Sequence, residues 1–157
     1  MNILILGKGQ FSQAMESFFS GRGHQVTIAQ GVDIRMPDQV TAAIEAGKFD
    51  WVVNAAAKTN LDWCEQNPLE CFDVNTLGAD RVGQVCGKLG VPLLHISTGC
   101  MQQSKTAADV HPENDPPTPT SFYSWTKYWA DQMLSLRADR GEVQLLIMRP
   151  RQPVSAV

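Results

Sequence analysis

Five short apolar runs, each set apart by a stretch of helical spacing, constrain this chain more than any other feature. They are "NILIL" (2–6), "HQVTIA" (24–29), "WVVNAAA" (51–57), "PLLHIST" (92–98) and "EVQLLIMRP" (142–150). They are apolar throughout rather than alternating, which is how a strand covered on both faces reads. Between them, "QFSQAMESFFS" (10–20) carries Phe11, Met15 and Phe18/Phe19 as a stripe, and Gly21 and Gly23 close it. "PDQVTAAIEAG" (37–47) starts at Pro37 and stops at Gly47, the asymmetry of a capped helix. Pro68 opens a long helix with Phe72, Val74, Leu77, Val82, Val85 and Leu89 on or near one face, and a last helix spans 121–139. Strands alternating with helices predict an α/β fold, a doubly wound parallel sheet of Rossmann type, as one domain over 1–157. The 157 residues, 43% hydrophobic and 18% charged, suffice for one core. Residues 99–120 break the rhythm and read as a long loop, functional or mobile.

Composition removes several classes of function. A net charge of −3 supplies no positive field for nucleic acid. "MNILILG" has no basic leader, and no window approaches the roughly 18 apolar residues of a membrane span. Cys64, Cys71, Cys86 and Cys100 are separated by 7, 15 and 14 positions with no C-x-x-C pair. That fits neither a zinc site nor a disulfide framework, so reduced thiols in a cytoplasmic protein, and no metal, are expected.

A doubly wound sheet takes its ligand beyond the carboxyl ends of its strands. "ILGKGQFS" places Gly7 and Gly9 directly after the first strand, with Ser12 where a third glycine usually stands. The first glycine permits the turn, the second lets backbone approach a pyrophosphate, and a small third residue lets helix and strand pack closely. Lys8, Gln10 and Phe11 complete this loop, and the expected ligand is a dinucleotide. The second strand ends at Gln30 rather than at an acid that would grip a ribose 2′-hydroxyl. Lys8, and less so Arg35, can meet a 2′-phosphate, so the choice between NAD(H) and NADP(H) leans to NADP(H). Asp33 and Ile34 read as contacts to the adenine end.

The second constellation is a hydroxyl, a phenol and an amine. Tyr123 and Lys127 in "SFYSWTKYWADQML" are four apart and share one helix face. A phenol titrates near pH 10, and a neighbouring ammonium brings that value down. "HIST" ends the fourth strand with Ser97 and Thr98, where a hydroxyl can share the oxygen being reduced or oxidised. On the same helix, Phe122, Trp125, Trp129 and Met133 have the spacing of a face that packs on the sheet or a partner.

A hydroxyl followed by Tyr-x-x-x-Lys on a dinucleotide-binding fold resembles the short-chain dehydrogenase/reductase superfamily. The segments "MNILILGKGQ", "VVNAAAKTNLDWCEQNP", "VNTLGA", "HISTG", "FYSWTKYWAD" and "LIMRPRQPVS" are similar, more closely, to the dTDP-4-dehydrorhamnose reductases. "NLDWCE", "STGC" and "RPRQPVS" are closest to plant-type nucleotide-rhamnose enzymes that combine 3,5-epimerisation with 4-reduction. The resemblance implies Thr98, Tyr123 and Lys127 as the catalytic set, with Cys100 as an acid/base in epimerisation. It also implies Ala55, Ala56, Lys58 and Asn75, with Tyr123 and Lys127, at the ribose and nicotinamide. The implied substrate is a nucleotide-linked 4-keto-6-deoxy sugar. After the fourth strand this chain reads Gly-Cys-Met-Gln-Gln where the reductases read Ser-Thr-Asp-Tyr-Val-Phe, so substrate contacts there differ.

The family's chains continue into a C-terminal substrate lobe; here that lobe is expected to be absent, either because the sequence is a fragment or because the protein lost it, since the matches end at Arg149, Arg151 and Pro153. This piece is therefore expected to bind cofactor while lacking most of the sugar site. An edge exposed there favours self-association into a homo-oligomer. The alternative is a non-catalytic regulatory or partner protein on the same fold. A dehydratase ranks last, because "TGCMQQ" lacks the acid pair that reaction needs.

Overall fold

In the computed structural model, residues 1–102, 112 and 115–150 are described. Five strands, β1 (Asn2–Leu6), β2 (Gln25–Ala29), β3 (Trp51–Asn54), β4 (Leu93–Ile96) and β5 (Leu145–Met148), form one sheet in the order β2-β1-β3-β4-β5. Every pairing is parallel. The chain moves outward from β1 to β2 and then returns past β1 to β3. The order therefore reverses between β1 and β3, where a doubly wound sheet opens its ligand crevice.

The alternation of side chains along β1 divides the core. Leu4 and Leu6 join Val40, Ile44, Val52, Val82, Val85 and Leu134 on one face. That face is covered by α2 (Pro37–Glu45), α5 (Ala79–Leu89) and α6 (Phe122–Asp139). Ile3 and Ile5 join Met15, Val53 and Leu94 on the other face, under α1 (Gln10–Ser20). Cover on both faces holds over β1 and β3 but not at the β5 side, where Leu146 and Met148 are exposed.

The structure revises or completes the sequence reading at five points. The third strand ends at Asn54, and Ala55 to Ala57 leave the sheet. The stretch after it holds α3 (Leu61–Gln66), capped by Asn60, whose side chain accepts from the Trp63 N–H at 2.8 Å. Only Cys64 of α3 is buried, so it carries no apolar period. The helix opened by Pro68 is not uniform: α4 (Pro68–Phe72) widens into a π-helical turn over Asp73–Gly78 before α5 begins. A π-turn re-aims side chains and is common at functional sites. Here it buries Val74, Asn75 and Thr76 together. Finally, α6 turns its aromatics outward. Ser124, Thr126, Lys127, Ala130, Asp131 and Leu134 face inward, while Trp125 and Trp129 stack at 5.6 Å with Phe72 and Phe122 at their edges. Residues 99–101, expected as loop, form a 3₁₀ turn. Most of the 99–120 loop, with Arg151 and Pro153, lies outside the described residues.

Close approach of α5 to the start of β5 is permitted by Gly87, where a Cβ would be driven into the Glu142 carbonyl oxygen. Gly87→Ala should therefore destabilise the domain by about 1–3 kcal/mol, read as a lower urea midpoint. An unchanged midpoint would show that this contact is slack.

Candidate active site

The glycine loop is shaped by what lies across from it. Gly7 has φ +100°, and a Cβ there would lie 2.7 Å from the Ala56 nitrogen. Only glycine lets the β1 loop pass so close to the end of β3. Gly9, two residues on, faces open space. It is the N-cap of α1, with no side-chain cap and no acid in the first turn, so the helix's positive end is left for an anion. Ser12 is fully buried, and its Oγ has no partner among the described residues. A cleft of about 960 Å³ opens here, lined by Gly7 to Ser12, Gly31 to Arg35, Ala55 to Thr59 and Val74. It gathers Gly7, Lys8, Gly9, Gln10, Phe11, Ser12, Asp33, Ile34, Ala55, Ala56 and Lys58, all named from the sequence.

Asp33 is not a free carboxylate. Arg35 Nε and Nη2 clasp it at 3.0 and 2.6 Å, and this hydrogen bonding holds the carboxyl below its usual range. The Arg35 guanidinium thus stands at the cleft rim, with Asp73 4.0 Å away. Ile34 is buried beneath them.

Asn75 does not line the cleft but braces its wall. Its Oδ1 accepts from the Lys58 N–H at 2.7 Å, and its Nδ2 donates to the Lys58 carbonyl at 2.9 Å and to Thr126 Oγ1 at 3.1 Å. Lys58 in turn pairs with Glu70 at 3.6 Å and lies over the Trp63 ring.

Thr98, Cys100, Tyr123 and Lys127 do not line this cleft; α6 presents Tyr123 from its first turn. Ser121 caps that turn, its hydroxyl accepting from the Ser124 N–H at 3.2 Å. The Thr98 hydroxyl lies near enough to the Tyr123 phenol to pull on its titration, so the hydroxyl and the phenol expected from the sequence come to one place. Burial raises the Tyr123 pKa, the Thr98 hydroxyl pulls against it, and Cys100 adds a further upward push. The expectation that Lys127 lowers it is not met. Lys127 Nζ turns to β4 instead, donating to the Ile96 carbonyl at 2.8 Å and lying 3.2 Å from His95 Nε2. Cys100 is exposed, two residues past Thr98, whose Oγ1 accepts from the Cys100 N–H at 3.1 Å.

Sequence reading missed the group that receives Lys127. His95 is fully buried and held neutral, by burial first and then by the Lys127 charge. The Asn54 oxygen accepts from the Ala56 N–H at 3.2 Å, which leaves the Asn54 amide to face His95 Nδ1 at 3.4 Å. Asp131, also buried, lies 4.0 Å from His95 Nε2 and accepts from Arg149 Nε at 2.9 Å. The one sequence signal was Lys127 followed four residues later by Asp131, next to a histidine in an apolar strand.

Burial brings Lys127 down from 10.5 to about 8. In the unfolded chain it holds its proton to higher pH, so between those values the unfolded state binds more protons and stability rises with pH. The gap corresponds to on the order of 3 kcal/mol. Because thiols and phenols titrate nearby, the quantity to measure is the difference from Lys127→Met: wild type should gain on the variant from pH 8 to 10 in urea titrations. Parallel curves would refute a buried ammonium at this position.

A parallel sheet with its cleft at the switch point, a glycine loop and a Thr–Tyr pair beyond it defines the Rossmann-type α/β class. Within that class, the family described as RmlD substrate binding domain matches residues 1–149, and the chain belongs to it. The Arabidopsis thaliana bifunctional dTDP-4-dehydrorhamnose 3,5-epimerase/dTDP-4-dehydrorhamnose reductase is 30% identical over 99% of this chain and 53% of its own. A dTDP-4-dehydrorhamnose reductase structure from Clostridium acetobutylicum superposes with TM-score 0.81 at 25% identity, covering 95% of this chain and 52% of that one. The UDP-rhamnose synthase of Acanthamoeba polyphaga mimivirus gives 0.81 at 25% identity, covering 98% and 57%. The chain thus spans about half the length of these relatives. Among the described residues no helix is long and apolar enough to cross a membrane, and no cluster of three potential metal ligands occurs.

Proposed function

We propose that this chain is the cofactor-binding and catalytic half of an NAD(P)H-dependent reductase of a nucleotide-linked 4-keto-6-deoxy sugar. The observation that carries the reading is the Thr98 hydroxyl set beside the Tyr123 phenol, on a fold whose glycine loop is shaped for a pyrophosphate. The dinucleotide fits the residues present: open space at Gly9, an uncapped helix end and the unpartnered Ser12 hydroxyl all await a polar ligand. Gly7 to Ser12 would hold its phosphates, Gly31 to Arg35 its adenosine end, and Ala55 to Lys58 its nicotinamide end. Arg35 and Lys8 at the rim, with no acid at Gln30, favour NADP(H).

When bound, the reduced dinucleotide supplies hydride to a carbonyl carbon. Thr98 and Tyr123 hold the carbonyl oxygen between two hydroxyls. The raised pKa of Tyr123 keeps its proton in place at neutral pH, and the phenol delivers it to the oxygen as general acid. Cys100, exposed and close enough to bear on the Tyr123 titration, is suited to proton exchange at the carbon beside the carbonyl, the step an epimerase adds.

Fluorescence titration should show NADPH binding at least about tenfold more tightly than NADH. Equal affinities would remove the NADP(H) preference, and no binding of either would overturn the dinucleotide reading. In the intact enzyme, Tyr123→Phe should lower kcat by about 10²–10⁴-fold with NADPH affinity unchanged. Wild-type turnover by that variant would remove Tyr123 from the chemistry.

A further inference from the structure

Three of the four cysteines are fully enclosed, and two of those touch. Cys64 Sγ on α3 and Cys71 Sγ on α4 are 2.6 Å apart, across the corner turned by Asn67 and Pro68. Their thiols are tied into the wall of the cleft. The Cys71 thiol donates to Cys64, whose own thiol donates to the Lys58 carbonyl at 3.6 Å. Asn75 Nδ2 donates to Cys71 Sγ at 3.3 Å, and Thr126 Oγ1 lies 3.8 Å from it. A chain of weak sulfur hydrogen bonds thus runs from the Tyr123 helix to Lys58.

We infer that Cys64 and Cys71 are an oxidisable dithiol that closes to a disulfide between α3 and α4, and that closure changes the grip of the Lys58–Asn75 wall on its ligand. The sulfurs need to approach by only about half an ångström to reach bonding distance. Joining them removes both S–H donors, so the Lys58 carbonyl loses one of its two partners and Cys71 is drawn from Asn75. The second half of the inference rests on the dinucleotide reading above; disulfide formation itself does not.

In the closed protein the pair is protected. Burial first, then Cys71, pushes the Cys64 thiol up to about 12, and a buried thiol is inert. Access comes through α3, a six-residue helix whose Leu61, Asp62, Glu65 and Gln66 are all exposed, the kind of element that opens locally. Once it lifts, Cys64 regains ordinary acidity. The oxidant is a low-molecular-weight disulfide such as oxidised glutathione. The Cys64 thiolate attacks one of its sulfurs and expels a glutathione thiolate. The Cys71 thiolate then attacks the Cys64 sulfur of the mixed disulfide and expels the second. Two electrons pass from the protein sulfurs to glutathione, and the two protons end on the released thiols.

The test is to equilibrate the protein with millimolar oxidised glutathione, quench in acid, alkylate and map peptides by mass spectrometry. The expected product joins the Cys64 and Cys71 peptides and reverts in dithiothreitol, with Cys86 still a thiol. NADPH affinity of the oxidised protein should be at least about threefold weaker than that of the reduced protein, and Cys71→Ser should be insensitive to the treatment, which sets aside exposed Cys100. Recovery of Cys64 and Cys71 as free thiols, or as separate glutathione adducts, overturns the dithiol. A cross-link with unchanged NADPH affinity overturns its coupling to the cleft. Failure of the reduced protein to bind NADPH would sink the dinucleotide reading instead, a result the peptide map distinguishes.

Discussion

The buried carboxamide of Asn75 holds the two halves of the site in register. It is 1% exposed, so leaving its polar atoms unpaired would cost on the order of 1–3 kcal/mol each. It satisfies them by reaching Lys58 on the β3 loop, Cys71 on α4 and Thr126 on α6. One side chain therefore fixes the cleft wall against the helix that carries Tyr123. The π-turn around it makes this reach possible, because the widened turn buries Asn75 and Thr76 at once, and Thr76 Oγ1 donates to the Thr126 carbonyl at 2.8 Å.

The second organising constraint is electrical. A charged lysine buried at the end of a parallel sheet is expensive unless paired. Lys127 meets this with a backbone carbonyl and a neutral histidine, while Asp131 one turn on raises its pKa against the effect of burial. Much of the polar character of α6 thus lies on its inner side, beside Ala130 and Leu134. An outward belt of Phe72, Phe122, Trp125 and Trp129 is what remains for solvent or a partner.

These two facts explain what was legible in the sequence. The strands and the glycine loop could be read because both follow local rules: apolar runs, and small residues where backbone must come close. Gly7 bears this out, since its missing Cβ is what admits Ala56. The tyrosine and threonine were legible as a pair, and the structure does bring them together. The orientation of α6 stayed open between the sheet and a partner surface, because hydrophobic spacing does not say what covers an apolar face. At this helix the inner face carries Ser124, Thr126, Lys127 and Asp131. Helix α3 escaped because six residues with one buried side chain leave no period. Asn75 entered only through resemblance, since nothing local in "VNTLGA" announces a π-turn. His95 read as part of an apolar strand, and only its neighbours in space give it a role.

The central claim is that the glycine loop, the Asp33–Arg35 rim and the Lys58 wall together receive one dinucleotide. The most direct measurement follows backbone amide shifts by NMR as NADPH is added. The account predicts concerted shifts at Gln10 to Ser12, at Asp33 to Arg35 and at Lys58, all saturating with a single affinity. Shifts confined to scattered surface residues, with Gln10 to Ser12 unmoved at saturating NADPH, would contradict it.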